Sequence, residues 1–162
     1  MERLTHGFPP LKDADSTILI LGSFPSAASR AAGFFYMHPR NRFWRILADV
    51  VDPGFADADV GCRTALLKRY GIALYDVIES CMIDGSADRS IRDVVPADVG
   101  AILAGTKIER ILVNGGTAWK LFTRHDSRFL PLARALPSTS PAHAAMSFET
   151  LSRLWKIALK EG

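Results

Sequence analysis

Apolar residues fall along this chain in two rhythms. One is a set of short unbroken runs: Thr17-Ile18-Leu19-Ile20-Leu21 closed by Gly22, Ile72-Ala73-Leu74-Tyr75-Asp76-Val77, Ile111-Leu112-Val113-Asn114, and a shorter one over Leu132–Leu136. Runs without alternation, ended by glycine or a polar residue, are the pattern of strands covered on both faces. The other rhythm has helical spacing. Phe43, Trp44, Leu47 and Val51 predict a helix over about Asn41–Val51, and Leu151, Leu154, Trp155 and Ala158 a last helix capped by Ser147. Further helices are predicted over Cys62–Arg69 before Gly71 and over Pro96–Leu103, opened by proline and closed at Gly105. Another covers Thr117–Arg124 behind the Gly115-Gly116 turn.

Strands that alternate with helices imply βαβ crossovers and helices on both faces of the sheet. The expected fold is α/β: a single three-layer α/β/α domain over residues 1–162 with a four-stranded, mostly parallel sheet. Residues 1–15, with Pro9-Pro10, are expected to be a lead-in arm. Ligands of such sheets bind beyond the carboxyl ends of the strands. Four segments leave those ends, namely Ser23–Asn41, Ile78–Ser90, Asn114–Gly116 and Ser138–His143. Their convergence on one edge predicts a site there.

Composition adds limits. A chain of 162 residues with 48% hydrophobic and 23% charged residues suits one soluble core. The net charge of +3 is too mild to imply a nucleic-acid partner, so the placement of the arginines matters more. From Phe24 to Ala48 there is no acidic residue, while Arg30, Arg40, Arg42 and Arg45 fall there with Phe34, Phe35, Tyr36 and His38. Arginines, aromatics and the hydroxyls of Ser23, Ser26 and Ser29 in one passage suit a site that grips phosphates and stacks on a base. Three successive aromatics cannot all point inward from a loop, so at least one is expected to be partly exposed.

Cys62 and Cys81 form no Cys-x-x-Cys pair, so zinc and disulfide frameworks are not expected; both thiols should be reduced and at least one buried. No apolar run approaches the roughly 20 residues of a membrane span. The N-terminus lacks the order of a secretory signal, so a cytoplasmic, DNA-associated protein without membrane contact is expected.

Several residues could carry chemistry, each with a plainer alternative. Asn41 precedes a helix, where asparagine is a favoured cap, yet its amide could also position water or meet a departing base. Pro137-Ser138-Thr139-Ser140-Pro141 is an ordinary serine-rich turn or a phosphate-binding loop. Asp76, Asp84 and Asp88 lie near the end of the second strand, where a carboxylate could act as a base; Asp88 also suits a plain turn. The glycine and serine spacings match no nucleophile elbow, Walker loop or dinucleotide fingerprint.

In order, these segments resemble the uracil-DNA glycosylase superfamily, within it the mismatch-specific branch and its hypoxanthine-DNA glycosylase relatives. His38-Pro39-Arg40-Asn41-Arg42-Phe43-Trp44 is similar to that branch's His-Pro-x-Asn-Arg-Phe-Trp signature. Supporting it are Gly71-Ile72 to Tyr75-Asp76, Gly85-Ser86-Ala87-Asp88, Val113-Asn114-Gly115 and Leu136-Pro137-Ser138-Thr139-Ser140, and the likeness runs from about Ile18 to Trp155. Mismatch-specific members carry Gly-x-Asn-Pro-Gly after the first strand, where this chain has Gly22-Ser23-Phe24-Pro25-Ser26, so Phe24 stands in the place of the water-positioning asparagine. The aspartate of the uracil-excising branch is missing too. The resemblance to the hypoxanthine-specific family therefore places catalysis on Asn41. It also implies that Tyr36 stacks on a flipped base in a pocket with Ser23, Phe24 and Asn114. Ser26, Ser29, Arg30, Arg40, Arg42, Ser138 and Ser140 would contact DNA. Ser138 replaces a catalytic histidine, and Ala142 stands where a leucine wedge enters the duplex, with His143 sharing that task. Arg128 is a further candidate phosphate contact.

The expected activity is that of a monofunctional, cofactor-free and metal-free DNA glycosylase. It would act as a monomer on double-stranded DNA containing a deaminated base, hypoxanthine before uracil. The alternatives are a mismatch-specific uracil enzyme and a non-catalytic nucleic-acid-binding module on the same fold.

Overall fold

A computed structural model describes residues 2–84 and 90–161. Its strands are β1 (Glu2–Thr5), β2 (Ile18–Gly22), β3 (Ile72–Asp76), β4 (Ile78–Ile83), β5 (Arg92–Pro96), β6 (Arg110–Asn114) and β7 (Ala133–Leu136). Four of them build a parallel sheet in the order β3-β2-β6-β7. Every residue of β2 and β3 is buried, as unbroken apolar runs require. The sheet grows outward from β2 in both directions, to β3 on one side and β6 on the other. That reversal opens a crevice beyond Gly22 and Asn114.

Helices α1 (Ala27–Ala32), α2 (Phe43–Val50), α3 (Val60–Arg69), α4 (Val99–Leu103), α5 (Gly116–His125) and α6 (Phe148–Lys160) flank the sheet. The apolar stripe of α2 (Phe43, Trp44, Ile46, Leu47, Val50) is buried, and α2 packs on α6, which buries Leu151, Trp155 and Ala158. Trp155 meets Phe43 edge-on at 6.0 Å and donates its indole N–H to the carbonyl of Pro137 at 3.0 Å. The indole thus ties α6 to the start of the serine-rich loop. Truncating it to alanine would cost about 3–5 kcal/mol.

The strands over 18–22, 72–76, 110–114 and 133–136 fall where the apolar runs place them, and Ser147 caps α6 by accepting the Thr150 N–H. Cys81 is buried and Cys62 exposed, and neither is in a disulfide. Three expectations need correction. Residues 1–15 are not a detached arm: β1 pairs antiparallel with β4, and Leu11 bridges Leu74. A half-polar edge strand of four residues is held by its partner, so its own pattern does not announce it. Ile78–Ser90 is not simply a loop, because Ile78–Ile83 is a strand in a second, antiparallel sheet of order β1-β4-β5. Pro96 ends β5 rather than opening a helix; α4 begins at Val99 with Asp98 as its cap. The short α1 was not anticipated either, since four alanines, a serine and an arginine carry no apolar stripe. The Gly85-Ser86-Ala87-Asp88 segment lies outside the described residues.

Candidate active site

A cavity of about 740 Å³ opens past the carboxyl ends of β2, β3 and β6. Gly22 forms its floor. A Cβ at this position would stand 2.5 Å from Asp76 Oδ1 and 3.1 Å from the Tyr36 hydroxyl, so only glycine lets both groups close over the end of β2. Asp76 is 5% exposed, and its Oδ2 meets Nε2 of the fully buried His6 at 2.7 Å.

Tyr36 is held in an unusual conformation. Its φ of 55° lies in the left-handed region, which costs a non-glycine residue about 1–3 kcal/mol and persists only where surroundings enforce it. The Trp44 indole N–H supplies that enforcement, donating to the carbonyls of Phe35 at 3.2 Å and Tyr36 at 3.1 Å. One face of the Tyr36 ring stacks on Phe43 with centroids 4.0 Å apart. Its hydroxyl is buried beside the Asn114 side chain. Burial first, and the nearby Asp76 carboxylate second, push that hydroxyl well above the usual phenol range. Phe34 and Phe35 are buried while Tyr36 remains half-buried, as three consecutive aromatics in a loop predict.

Asn41 lines the cavity beside His38. Its Oδ1 accepts the N–H of Phe43, the first residue of α2, at 2.9 Å from one position before the Arg42 N-cap, and its own N–H donates to the His38 carbonyl. The side-chain NH₂ is the part of the amide left for chemistry. Arg42 is half-buried, and its guanidinium donates to the carbonyls of Met146 and His143 at 2.7 Å each. That clamp fixes the turn carrying Ala142 and His143.

Across the cavity, the Asn114 side chain staples the serine-rich loop. Its NH₂ donates to Thr139 Oγ1, and its oxygen accepts the Thr139 N–H, both at 3.0 Å. The Arg42 N–H donates to the Thr139 carbonyl, which joins this loop to the start of α2. Ser138 accepts the Ser140 N–H and Ser140 accepts the Ala142 N–H, so both hydroxyls brace the loop from within. Gly115, with φ of 98°, lies against Ser138, where a Cβ would come within 3.0 Å of the Ser138 Cβ.

Ser23, Phe24, Ser26 and Ser29 also line the cavity. Phe24 packs against Ile78, Cys81 and Ile83, the small core beneath the second sheet. Ser26 caps α1, and Ser29, 2% exposed, accepts the Met37 N–H. Arg30 donates to the Pro25 carbonyl beside the Phe24 ring. Arg40 is exposed next to His38, and Ala142 is exposed on the opposite rim. His143 lines the wall, with Nε2 buried and unpartnered among the described residues. Arg128 is not brought here. Helix α5 starts at the cavity and runs away from it, leaving Arg128 against Gly100 of α4. Sequence reasoning missed His6, which stands in no motif, and left Thr139 of the serine-rich loop without a role; its bonds to Asn114 and Arg42 appear only in the fold. No three His, Cys, Asp or Glu side chains among the described residues are grouped to hold a metal ion. No helix among them is long and apolar enough to cross a membrane.

Residues 9–159 match the family model of the uracil DNA glycosylase superfamily. A hypoxanthine DNA glycosylase from Methanosarcina barkeri (strain Fusaro / DSM 804) is 38% identical over 88 residues, 54% of this chain and 56% of that protein, so the match spans little more than half of it. One from Methanosarcina acetivorans is 30% identical over 152 residues, covering 89% of this chain and 91% of its own length. The fold is similar to the solution NMR structure of a candidate uracil DNA glycosylase from Methanosarcina acetivorans, with a TM-score of 0.81, 28% identity and 95% of each chain covered. A family match over nearly the whole length, around a cavity at the switch point of a four-stranded parallel sheet, places this chain in the uracil DNA glycosylase superfamily.

Proposed function

We propose that this DNA glycosylase hydrolyses the N-glycosidic bond of a deaminated nucleotide in double-stranded DNA, with hypoxanthine as its preferred base. The observation that carries the reading is the Asp76 carboxylate at the cavity floor beside the Tyr36 hydroxyl. Hypoxanthine and uracil each present a ring N–H next to a carbonyl, whereas adenine and cytosine present a bare ring nitrogen at that edge. A carboxylate accepts from the former and repels the latter. The two relatives named for hypoxanthine support ranking the purine first.

The flipped nucleotide enters between the Asn41 and Ser138–His143 loops. Tyr36, backed by Phe43, stacks on the base. The glycosidic bond breaks with oxocarbenium character, and the side-chain NH₂ of Asn41, aimed by the bond its oxygen accepts from the Phe43 N–H, meets charge developing on the departing base or orients the water that adds to the sugar. No lysine among the described residues lines the cavity, so no Schiff base forms and the enzyme acts without a lyase step. Exposed Arg40 meets the phosphate backbone, and Arg42 acts by holding the Ala142–His143 turn that faces the duplex. One monomer suffices for this site.

Incubation with duplexes containing inosine, uracil or xanthine, or none of them, followed by alkali, tests the reading. The inosine strand should break fastest, and only after alkali. Uracil excised faster than hypoxanthine, or no excision at all, overturns it.

A further inference from the structure

We propose that His6 is a positioning residue for base recognition, holding Asp76 as an ionised acceptor turned toward the cavity; the inference rests on the reading of Asp76 as the partner of a ring N–H. His6 follows β1 and precedes residue 9, where the match to the family model begins.

Its imidazole is fully buried in an aromatic cage. Tyr75 stacks on it at 4.2 Å, Phe8 meets it edge-on at 4.5 Å, and Phe24 and Phe35 close the remaining sides. Nε2 reaches Asp76 Oδ2 at 2.7 Å, and Nδ1 has no hydrogen-bond partner among the described residues. A proton on Nδ1 would be a buried donor with no acceptor, which is costly, so the proton sits on Nε2 and points at the carboxylate. A buried carboxylate is tolerated as an anion only when such donors hold it. The bond also fixes its rotation. With Oδ2 engaged by His6, Oδ1 is left against Gly22 at the cavity floor.

Removing the Nε2 donor frees Asp76 to turn, and an acceptor no longer aimed at the ring N–H costs discrimination of hypoxanthine from adenine as well as rate. The ionisable groups facing the pair are the Tyr36 hydroxyl, Tyr75, and Glu79, which accepts the Tyr75 hydroxyl at 2.6 Å. Both tyrosines are pushed above the usual phenol range, chiefly by burial, and so stay neutral across the working pH.

The test uses the full chain with His6→Phe, which fills the cage without a donor, and His6→Gln, whose amide restores one. His6→Phe should lose about 10- to 100-fold in kcat/KM on inosine duplexes. Its preference for inosine over deoxyadenosine duplexes should narrow, and His6→Gln should recover most of the loss. His6→Phe with wild-type kcat/KM and an unchanged base preference overturns the proposal. If His6→Phe does not fold, ¹⁵N spectra of the wild-type imidazole decide. The Nε2 proton should be present and should shift when a 2′-fluorodeoxyinosine duplex binds, and stay put with the 2′-fluorodeoxyadenosine counterpart. A proton on Nδ1, or an Nε2 signal indifferent to both duplexes, overturns it. Asp76→Asn separates the two levels. Excision at the wild-type rate in that variant removes the base-reading role of Asp76 and this inference with it. An impaired Asp76→Asn beside an unimpaired His6→Phe removes only the role of His6.

Discussion

The side-chain oxygen of Asn41 accepts the backbone N–H of Phe43 at 2.9 Å, so one amide both holds the first N–H of α2 and faces the cavity. The two roles use different atoms, and substitutions can part them. Asn41→Ser keeps an oxygen acceptor for that N–H but removes the NH₂; Asn41→Ala removes both. Asn41→Ala should lose about 0.5–1.5 kcal/mol of stability, the scale of one hydrogen bond, and Asn41→Ser less. Both should lose on the order of 10²-fold or more in excision, the scale of one donor aimed at developing charge. An Asn41→Ser enzyme that turns over like wild type would show that the amide only holds the helix start.

Tyr36 has one ring face against Phe43 and its backbone pinned by Trp44, so its other face is presented in a fixed orientation. Tyr36→Ala should weaken binding to inosine duplexes by about 1–3 kcal/mol, the scale of base–aromatic stacking, and barely change affinity for undamaged duplex. Fluorescence anisotropy on the two duplexes distinguishes the cases. Equal losses on both would assign the ring to the core.

Arg40 and Arg42 are two residues apart in sequence and face different tasks. Arg40→Gln should shallow the log–log salt dependence of duplex binding by about 0.9, because an exposed phosphate contact releases a counterion. Arg42→Gln should leave that slope nearly unchanged and lower stability by about 1–3 kcal/mol, since the carbonyls of His143 and Met146 lose charged donors. If the slope follows Arg42 and ignores Arg40, the DNA face is drawn wrongly.

Local chemistry explains what was legible beforehand. The runs at 18–22, 72–76 and 110–114 must be buried on both faces, so their pattern alone places the parallel sheet and its ligand edge. Asn41 stands in a motif and Tyr36 two residues ahead of that motif, and the cavity does include both. The second sheet escaped notice because β1 and β5 are largely exposed strands stabilised by pairing with β4. The partnership of His6 with Asp76 spans 70 positions, and a lone histidine in a polar N-terminal stretch carries no periodic signal. Arg128 misled for the opposite reason. Its charge is visible in sequence, but its place in the turn beyond α5, against Gly100, is a property of the fold.

Asp126 offers a check on the scaffold away from the cavity. The residue is 7% exposed, and Oδ2 has no partner among the described residues. Burial raises its carboxyl to about 6, with Arg128 opposing and Asp98 adding to the shift. The ordinary value is about 3.9, so between roughly pH 4 and pH 6 the folded chain binds more protons here than the unfolded one. Stability from this group is therefore full below that window and lost as pH rises through it. Asp126→Asn cannot titrate. From pH 4 to pH 7 the stability of the variant relative to wild type should shift in its favour by about 2 kcal/mol, discounted for partial solvation. Urea unfolding of both proteins at the two pH values measures that shift. A difference that stays constant with pH would mean that Asp126 is ionised in the fold as readily as in the open chain.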